Sequence, residues 1–599
     1  MTDTGTNGAD NVAGRAIAAL IGGAAGLALW LFAEVLPEAI DNMRLLLLLA
    51  ALVMGTFAIL MVLTGPVRAG RALIGALTVS VPAALLLVWA SLRFDEVKDF
   101  FEAAYGFLAY GIILFVGTPF AVAALQMAGG WRDYPRLFDT AWTIVVRYAA
   151  GWLFVGLFWV MLMLSDQLLR LVGIGLIHRM IEIEPVPYVL SGLVLGLALG
   201  VVHELRDYVS PYLIHRLLRL LLPMLLPVVA LFVLALPLRG LGGLFGQLSA
   251  ASVLMGVAAA GITLISTALD RGDDEAAESP VMVWSVRVFA LTLPVLAALA
   301  VFAIGQRVGQ YGWTPGRMLA GVAGMFVLAY GLAYAVAVLR GGAQWMGRIR
   351  AANLWLAVAA VAVAVLWLTP VLNAERIAAQ SQLSRAMAAM DKPGDMALWE
   401  MAHRWGRPGA EALTALEEAA RSQAADDVVT AIGRARASAT RYAYQRQEGD
   451  EDATELRAAL AALLPVRPGG TALPEGAFEG LNAQTVRRWH KACEERLPDG
   501  RPGCVAVFGD FRPGMAATNG YVLLNRPGRT VQVTGIVLRD GRLTVFGNAR
   551  AADNLTSAVP LQPQLREADI ASVLDGDFAI EPVEIRALRI GEVGIIPDN

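Results

Sequence analysis

The 599-residue chain is poor in charge. Asp, Glu, Lys and Arg make up 17% of it, against about 25% in soluble domains. It has two cysteines and five histidines, too few for a multi-metal site of the usual nitrogen and sulfur type. Lysine occurs only at Lys98, Lys392 and Lys491, and arginine supplies the rest of the positive charge. With abundant Ala and Gly, this looks like the coding bias of a GC-rich bacterium and carries no mechanism. The net charge of −3 gives no attraction to a polyanion, so nucleic acid is not an expected partner. An ordinary cytosolic enzyme and a disordered chain are excluded as well. There is no Walker A loop, no GxGxxG after a strand, no HExxH and no GxSxG elbow. No catalytic residue, metal ligand or cofactor is assigned.

What is present is apolar residue, 57% of the chain, with a mean hydropathy of +0.58. It is unevenly placed. Of the charged residues, 43 fall in positions 1–372 and 56 in 373–599, about 12% against about 25%. The expected fold class is a polytopic α-helical membrane protein with a C-terminal soluble domain, helical and then small α+β. The expected divisions are a polar tail 1–15, a membrane domain 16–372, a helical extracytoplasmic segment 373–465 and an α+β extracytoplasmic domain 466–599.

A bilayer core needs about 20 apolar residues in helix, because the backbone has no water to bond there. Eleven runs qualify: 16–36, 44–64, 72–92, 105–128, 143–164, 187–203, 218–238, 249–269, 281–304, 318–339 and 353–371. The run 168–181 is too short and is broken by Arg170, His178 and Arg179, so an interfacial or re-entrant helix is expected there. The first run is about twice as long as a signal h-region and has no small-residue cleavage site after it, so it reads as a retained span.

Arginine sets the orientation. It recurs after even-numbered spans: Arg68 and Arg71, Arg132 and Arg136, Arg206 and Arg216, Arg340 and Arg348. Loops after spans 1 and 3 are acidic instead, with Glu34, Glu38, Asp95 and Asp99. The N-terminus is therefore expected inside. An odd number of spans then puts the tail on the outer side of the membrane.

No span has an ionisable group at its centre. Arg147, Asp166, His203, Glu204 and Arg287 fall near span ends, where long side chains reach the headgroups. Anchoring is the reading that this position favours; a polar cavity between spans is the alternative. Pro82, Pro119 and Pro294 lie mid-span, and Pro223, Pro227 and Pro237 lie in span 7. Each removes a backbone bond, and broken helices can build substrate sites from freed carbonyls. Proline is also simply common in membrane helices.

QYGWTPGRMLAGVAGMFVLAYGLAYAV at 310–336 resembles bacterial multi-pass proteins of the family called domain of unknown function 4153. LPLRGLGGLF at 236–245, NAERIAAQSQLSRAM at 373–387 and WEMAHRWGRPGAEAL at 399–413 fit the same resemblance. It implies a bacterial inner-membrane location and adds no catalytic residue. Within YGWTPGR, Tyr311 and Trp313 suit the headgroup level, Thr314 caps span 10 and Pro315 suits its first turn. Arg317 is read as a snorkelling anchor, with an anion contact at the helix start as the alternative.

In the tail, 373–465 reads as four or five short antiparallel helices, followed by a Pro/Gly-rich linker at 465–476. A helix at 483–496, strands at 503–511 and 519–525, a hairpin turning at Asp540-Gly541, a helix at 566–574 and a strand at 580–592 complete the module. Cys493 and Cys504 sit eleven positions apart across a Pro/Gly turn. A disulfide there stabilises by roughly 3 kcal/mol and persists only in an oxidising compartment. This agrees with an external tail; the alternative is two free thiols inside.

The function expected from these features is an envelope protein that senses, scaffolds or assembles, with the bilayer around it and a periplasmic protein partner on its tail. One alternative is a permease for a small solute. The other is a membrane-embedded transferase on a lipid-linked substrate, which needs Asp166, His178 and Glu182 gathered at one membrane face.

Overall fold

The computed structural model describes residues 4–63, 69–125, 130–204, 211–239, 250–276, 278–390, 393–469, 473–511, 518–526, 530–548, 565–582, 588–590 and 593–595. Contacts divide the chain into two compact units, Met1–Gly433 and Arg434–Asn599.

The first unit holds eleven helices long and apolar enough to cross a bilayer, among the described residues. They are α1 (Thr4–Trp30), α2 (Met43–Leu63), α3 (Ala69–Ser91), α4 (Tyr105–Leu125), α5 (Tyr134–Leu171), α6 (Pro185–Glu204), α7 (Leu222–Arg239), α8 (Ala250–Leu269), α9 (Pro280–Tyr311), α10 (Pro315–Leu339) and α11 (Trp345–Leu368). This is a membrane protein. Several helices outrun their apolar cores. At 38 residues α5 is about 57 Å long, nearly twice the hydrocarbon thickness. Its last turn absorbs Leu168–Leu171, and after a turn at Gly173 the segment 168–181 continues as a six-residue helix, Leu176–Ile181. That helix is too short to span, and Leu171, Val172, Leu176 and Met180 expose apolar surface around it. Residues 64–68, 126–129, 205–210 and 240–249 lie outside the described residues, and with them Arg68, Arg206 and part of LPLRGLGGLF.

Hydrogen bonds identify which connections share an end of the bundle. On α5, Arg147 donates to Val62 O (2.7 Å), near the end of α2, and to Leu199 O (2.9 Å), late in α6. Asn353 of α11 reaches Tyr134 of α5 and Ser266 of α8. At the opposite end, Arg93 after α3 donates to Trp367 O and Thr369 O, both at 2.7 Å, where α11 finishes. Tyr188 of α6 donates there to Glu34 (3.1 Å). Connections after even-numbered helices thus lie together, and the chain leaves α11 at the other end.

Three of the apolar clusters among the described residues show how the unit packs. One joins α2, α3, α4 and α11 through Leu47, Leu63, Leu87, Ile113 and Trp367. Another joins α7 to α11 through Leu226, Ile265, Phe289, Leu293 and Ile349. The third packs Ala25, Met61, Val155, Leu195 and Leu199 between α1, α2, α5 and α6. Pro82, Pro119 and Pro294 sit inside helices that run on without a break. At Pro294 the neighbour is Gly331 of α10, where an added Cβ would meet Pro294 N at 3.0 Å.

Beyond α11 come α12 (Ala374–Ala388), α13 (Leu398–His403), α14 (Gly406–Ser422), α15 (Asp426–Ala437) and α16 (Arg441–Leu463), five helices over the stretch expected to hold four or five. The division at 433/434 falls inside this stretch rather than at 372 or 465. The reason is packing: α12 lies on the bundle, with Ala374 in its core, whereas α16 lends Ala453 and Leu460 to the second unit.

That second unit is a sheet with helices on both faces. Strands β1 (Val466–Arg467), β2 (Cys504–Gly509), β3 (Thr518–Leu524), β4 (Gln532–Arg539) and β5 (Arg542–Asn548) lie in sequence order, β1 parallel to β2 and the rest antiparallel. Alternate side chains of β2 face opposite layers. Cys504, Ala506 and Phe508 join Val486 and Trp489 of α17 (Ala483–Glu494), whereas Val505 and Val507 meet Ile570 and Leu574 of α18 (Glu567–Asp575). Asp540 and Gly541 both take positive φ, 51° and 77°, as the expected two-residue hairpin turn requires. Cys493 and Cys504 are bonded, tying the end of α17 to the start of β2. Over the expected strand 580–592, described residues instead form β6 (Leu588–Ile590), which pairs antiparallel with β7 (Val593–Ile595).

Candidate functional site

A polar cluster with a buried centre lies, among the described residues, where α5 and α11 begin and α8 and α10 end. α8 finishes at Leu269, and Asp270 turns into the left-handed region at φ 50°. Helix ends leave carbonyls without partners. Arg350 of α11, 8% exposed, supplies them: its Nη2 donates to Leu269 O (2.7 Å) and its Nε to Asp270 O (3.2 Å). Its Nη1 donates to Asp273 Oδ1 (2.6 Å). One turn further along, Asn353 donates to Tyr134 Oη (3.1 Å) and Ser266 Oγ (3.3 Å) and accepts from Tyr334 Oη (2.6 Å). Tyr334 is fully buried and also lies 3.0 Å from Ser266 Oγ.

Against this network sits His215, on the short helix Pro211–Arg219. Its Nδ1 is 3.4 Å from Asp270 Oδ2, and both side chains are buried. The rings of Phe138 and Trp142 of α5 enclose the imidazole, at 5.1 and 4.7 Å between centroids. Neither nitrogen of His215 completes a hydrogen bond among the described residues. At the rim Arg271 bonds Glu275 and Asp139, and these carboxylates raise its pKa further above the ordinary value. Chemically, the cluster is an imidazole–carboxylate pair screened by aromatic rings and braced by a neutral hydroxyl–amide network. Among the described residues it holds no nucleophile paired with a base. Among the described residues, no group of three or more His, Cys, Asp or Glu is placed to hold a metal ion.

Tyr334→Phe is expected to destabilise the bundle by roughly 1 kcal/mol, because half-buried Asn353 Oδ1 loses its donor. Thermal unfolding of the detergent-solubilised chain reads this. A variant melting with the native chain would show that water reaches Asn353.

At the opposite end, two of the segments carrying the family resemblance meet. α12 lies across the end of α9, whose last carbonyls have no helical partner. Arg385 donates to Gln310 O (2.5 Å), while Gln382 donates to Tyr311 O (2.8 Å) and Trp313 O (2.9 Å). Ser381 Oγ accepts from Trp313 N (3.0 Å). Gly312 turns between them at φ 70°, where a Cβ would meet Arg385 Cδ at 2.5 Å. Only glycine suits both the conformation and the space. Arg93 completes the arrangement with a 3.0 Å ion pair to Glu375.

The residues singled out in the sequence are scattered rather than gathered. Arg147 is buried and holds helix-end carbonyls. Asp166 is buried and pairs with Arg170 one turn away (2.9 Å). His178 pairs with Glu182 (3.0 Å), and no bond among the described residues joins that pair to Asp166. Arg287 lies over the Trp345 ring at 5.0 Å. Arg317 donates to Tyr311 O (3.0 Å) and Gly312 O (2.8 Å), and Thr314 caps its helix as expected. His203 and Glu204 end α6, and their side chains lie outside the described ones. Sequence reasoning missed His215, Ser266, Tyr334 and Asn353. The available signal was an Asn and a Tyr inside apolar runs, where burial demands partners.

No curated protein and no solved structure matches the chain. One family model does match, over residues 47–401, from the first turns of α2 into α13. It takes in both polar constellations and stops three residues into WEMAHRWGRPGAEAL. Covering more than half of the sequence, this match places the chain in the family described as Domain of unknown function (DUF4153).

Proposed function

We propose that the chain is a non-enzymatic scaffold or assembly protein of the bacterial inner membrane, with its tail outside the cytoplasm and binding a periplasmic partner. The carrying observation is how the bundle uses its buried cations: Arg93, Arg147 and Arg350 each bond the carbonyls of neighbouring helices. A conduit or catalytic chamber needs polar groups aimed at a ligand; here they hold helix ends together. The permease alternative draws on mid-span prolines, yet Pro82, Pro119 and Pro294 sit in unbroken helices.

Two features support the compartment. Arginine-rich connections follow even-numbered helices, the side that the positive-inside rule makes cytoplasmic. The Cys493–Cys504 bond needs an oxidising environment. The test uses the full chain with Glu581→Cys, an exposed position. A membrane-impermeant maleimide should label it in intact spheroplasts as fully as in lysed ones. Labelling that requires lysis would put the tail in the cytoplasm and end the proposal. Cross-linking from the same cysteine should capture a periplasmic protein, and capture of cytosolic proteins alone would overturn the partner reading.

A further inference from the structure

A turn ahead of α5 sets a tryptophan and an arginine at the edge of the bundle. Gly130 takes φ 73°, Asp133 N donates back to Gly130 O (3.3 Å), and Trp131 and Arg132 lie between them. The apolar run 105–128 ends just before this turn. Where the run 353–371 of α11 starts, three successive residues face different ways. Asn353 reaches Tyr134, Leu354 packs with Ala123 and Leu137, and Trp355 points outward, 53% exposed. Tryptophans at the ends of apolar runs belong in the headgroup layer.

The rings of Trp131 and Trp355 meet edge to face, 6.0 Å apart at 87°. Arg132 occupies the corner between them, its Cζ 4.7 Å from one centroid and 5.5 Å from the other. Both distances suit a cation–π contact. An indole has one donor and no acceptor, so the rings hold the guanidinium without satisfying its N–H groups. Arg93, Arg147 and Arg350 spend their donors on helix-end carbonyls. Arg132 is exposed, and its side chain makes no hydrogen bond and no ion pair among the described residues. The adjacent carboxylate, Asp133, pairs with Arg136 instead (3.1 Å).

We propose that Arg132 binds the phosphate of an anionic phospholipid, with Trp131 and Trp355 holding the guanidinium in place for it. Arginine's planar fork matches phosphate oxygens in pairs, and a guanidinium already held by two rings loses less freedom on binding. The headgroup's charge follows from the occupied corner. A choline or ethanolamine cation is drawn to indole faces, but Arg132 already takes these and repels a second cation. A headgroup without a cation, such as that of phosphatidylglycerol, meets attraction alone. From Trp355 the same face of α11 runs on through Ala362 and Leu366, both exposed, which gives an acyl chain an apolar track. Such a site works in either leaflet, so it stands apart from the scaffold proposal.

The test uses the full chain, stripped of lipid in non-ionic detergent. Native mass spectrometry counts bound lipid as phosphatidylglycerol or phosphatidylcholine of matched chains is titrated in. The first phosphatidylglycerol should bind about fivefold more tightly than phosphatidylcholine, the preference that one arginine beside an anionic headgroup supplies. Arg132→Gln should abolish that preference, and Trp355→Leu, which frees the guanidinium, should cut it about twofold. Arg340→Gln, which removes an exposed arginine at the same end of the bundle, should leave it unchanged. Native-like melting without lipid checks the fold of each variant. Dihexanoyl phosphatidylglycerol should displace the bound lipid, and inorganic phosphate at equal concentration should not. Equal affinity for the two lipids, or a preference that survives Arg132→Gln, would overturn the site. An equal loss in Arg340→Gln would reduce it to diffuse surface charge and overturn it as well. Displacement by inorganic phosphate as effective as by the short-chain lipid would make a free anion the ligand and overturn the lipid assignment.

Discussion

Gly196→Leu is expected to prevent α6 from docking on α1 and to destabilise the bundle by about 3 kcal/mol or more, the upper end for overpacking. The two helices run antiparallel along a seam of small residues. Gly22 lies against Gly192 and Gly196, Gly26 against Tyr188, and Ala18 against Gly196. A Cβ at Gly22 would fall inside the contact radius of Gly192 O, and one at Gly196 inside that of Ala18 O. The obstacle is backbone in both cases, so no side chain can rotate away. The helices must separate, and the seam then loses its dispersion and its Cα–H···O contacts together. Lipid offers no hydrophobic compensation, because its tails are as apolar as the surface exposed. Gly156 of α5 and Gly256 of α8 provide the controls, since a Cβ there meets nothing within 4 Å. Thermal unfolding of the solubilised chain should drop by many degrees for Gly196→Leu and Gly22→Leu and hardly move for Gly156→Leu. Equal melting of all three would mean that α1 and α6 do not pack in this way.

The same seam shows how far the sequence could be read. Four-residue spacing of glycine is visible at 22 and 26 and again at 192, 196 and 200. Nothing local says that these two stretches, some 170 residues apart, face each other. The eleven spans were legible because the bilayer imposes length and apolarity on each one separately. The Asp540-Gly541 hairpin was legible because two positive φ angles demand those residue types. The length of α5 was not, since its first turns carry Arg136 and Asp139, which find partners only after folding. Arg147 stood out by residue type, but its carbonyl partners on α2 and α6 are set by packing. The His215 cluster draws on five separate helices, and each contributes a few residues that look unremarkable in their own segment. Sequence pattern reports what every element needs; which element meets that need is a property of the assembled bundle.

Removing one partner of the Arg93–Glu375 pair should be the other large effect. The side chains are 10% and 5% exposed, so water contributes little screening. Arg93 also donates to Trp367 O and Thr369 O, and Glu375 occupies the first turn of α12, where the helix dipole favours a carboxylate. Glu375→Ala leaves the guanidinium its two carbonyls but not its counter-charge, at a cost of about 3 kcal/mol. Arg93→Met should cost more, because a buried carboxylate then stands alone and the last carbonyls of α11 lose their donor. In Arg93→Met/Glu375→Met neither charge remains, so the loss should be well below the sum of the single losses. A merely solvated surface pair would instead give single losses under about 1 kcal/mol and an additive double variant. Hydrogen exchange adds a spatial readout. If the pair anchors α12, its amides should exchange faster in Glu375→Ala while those of α17 and the sheet keep their native protection, since loss of one brace opens the element that it holds before the rest. Uniform acceleration across the chain would mean that the pair supports global stability without holding α12 in particular.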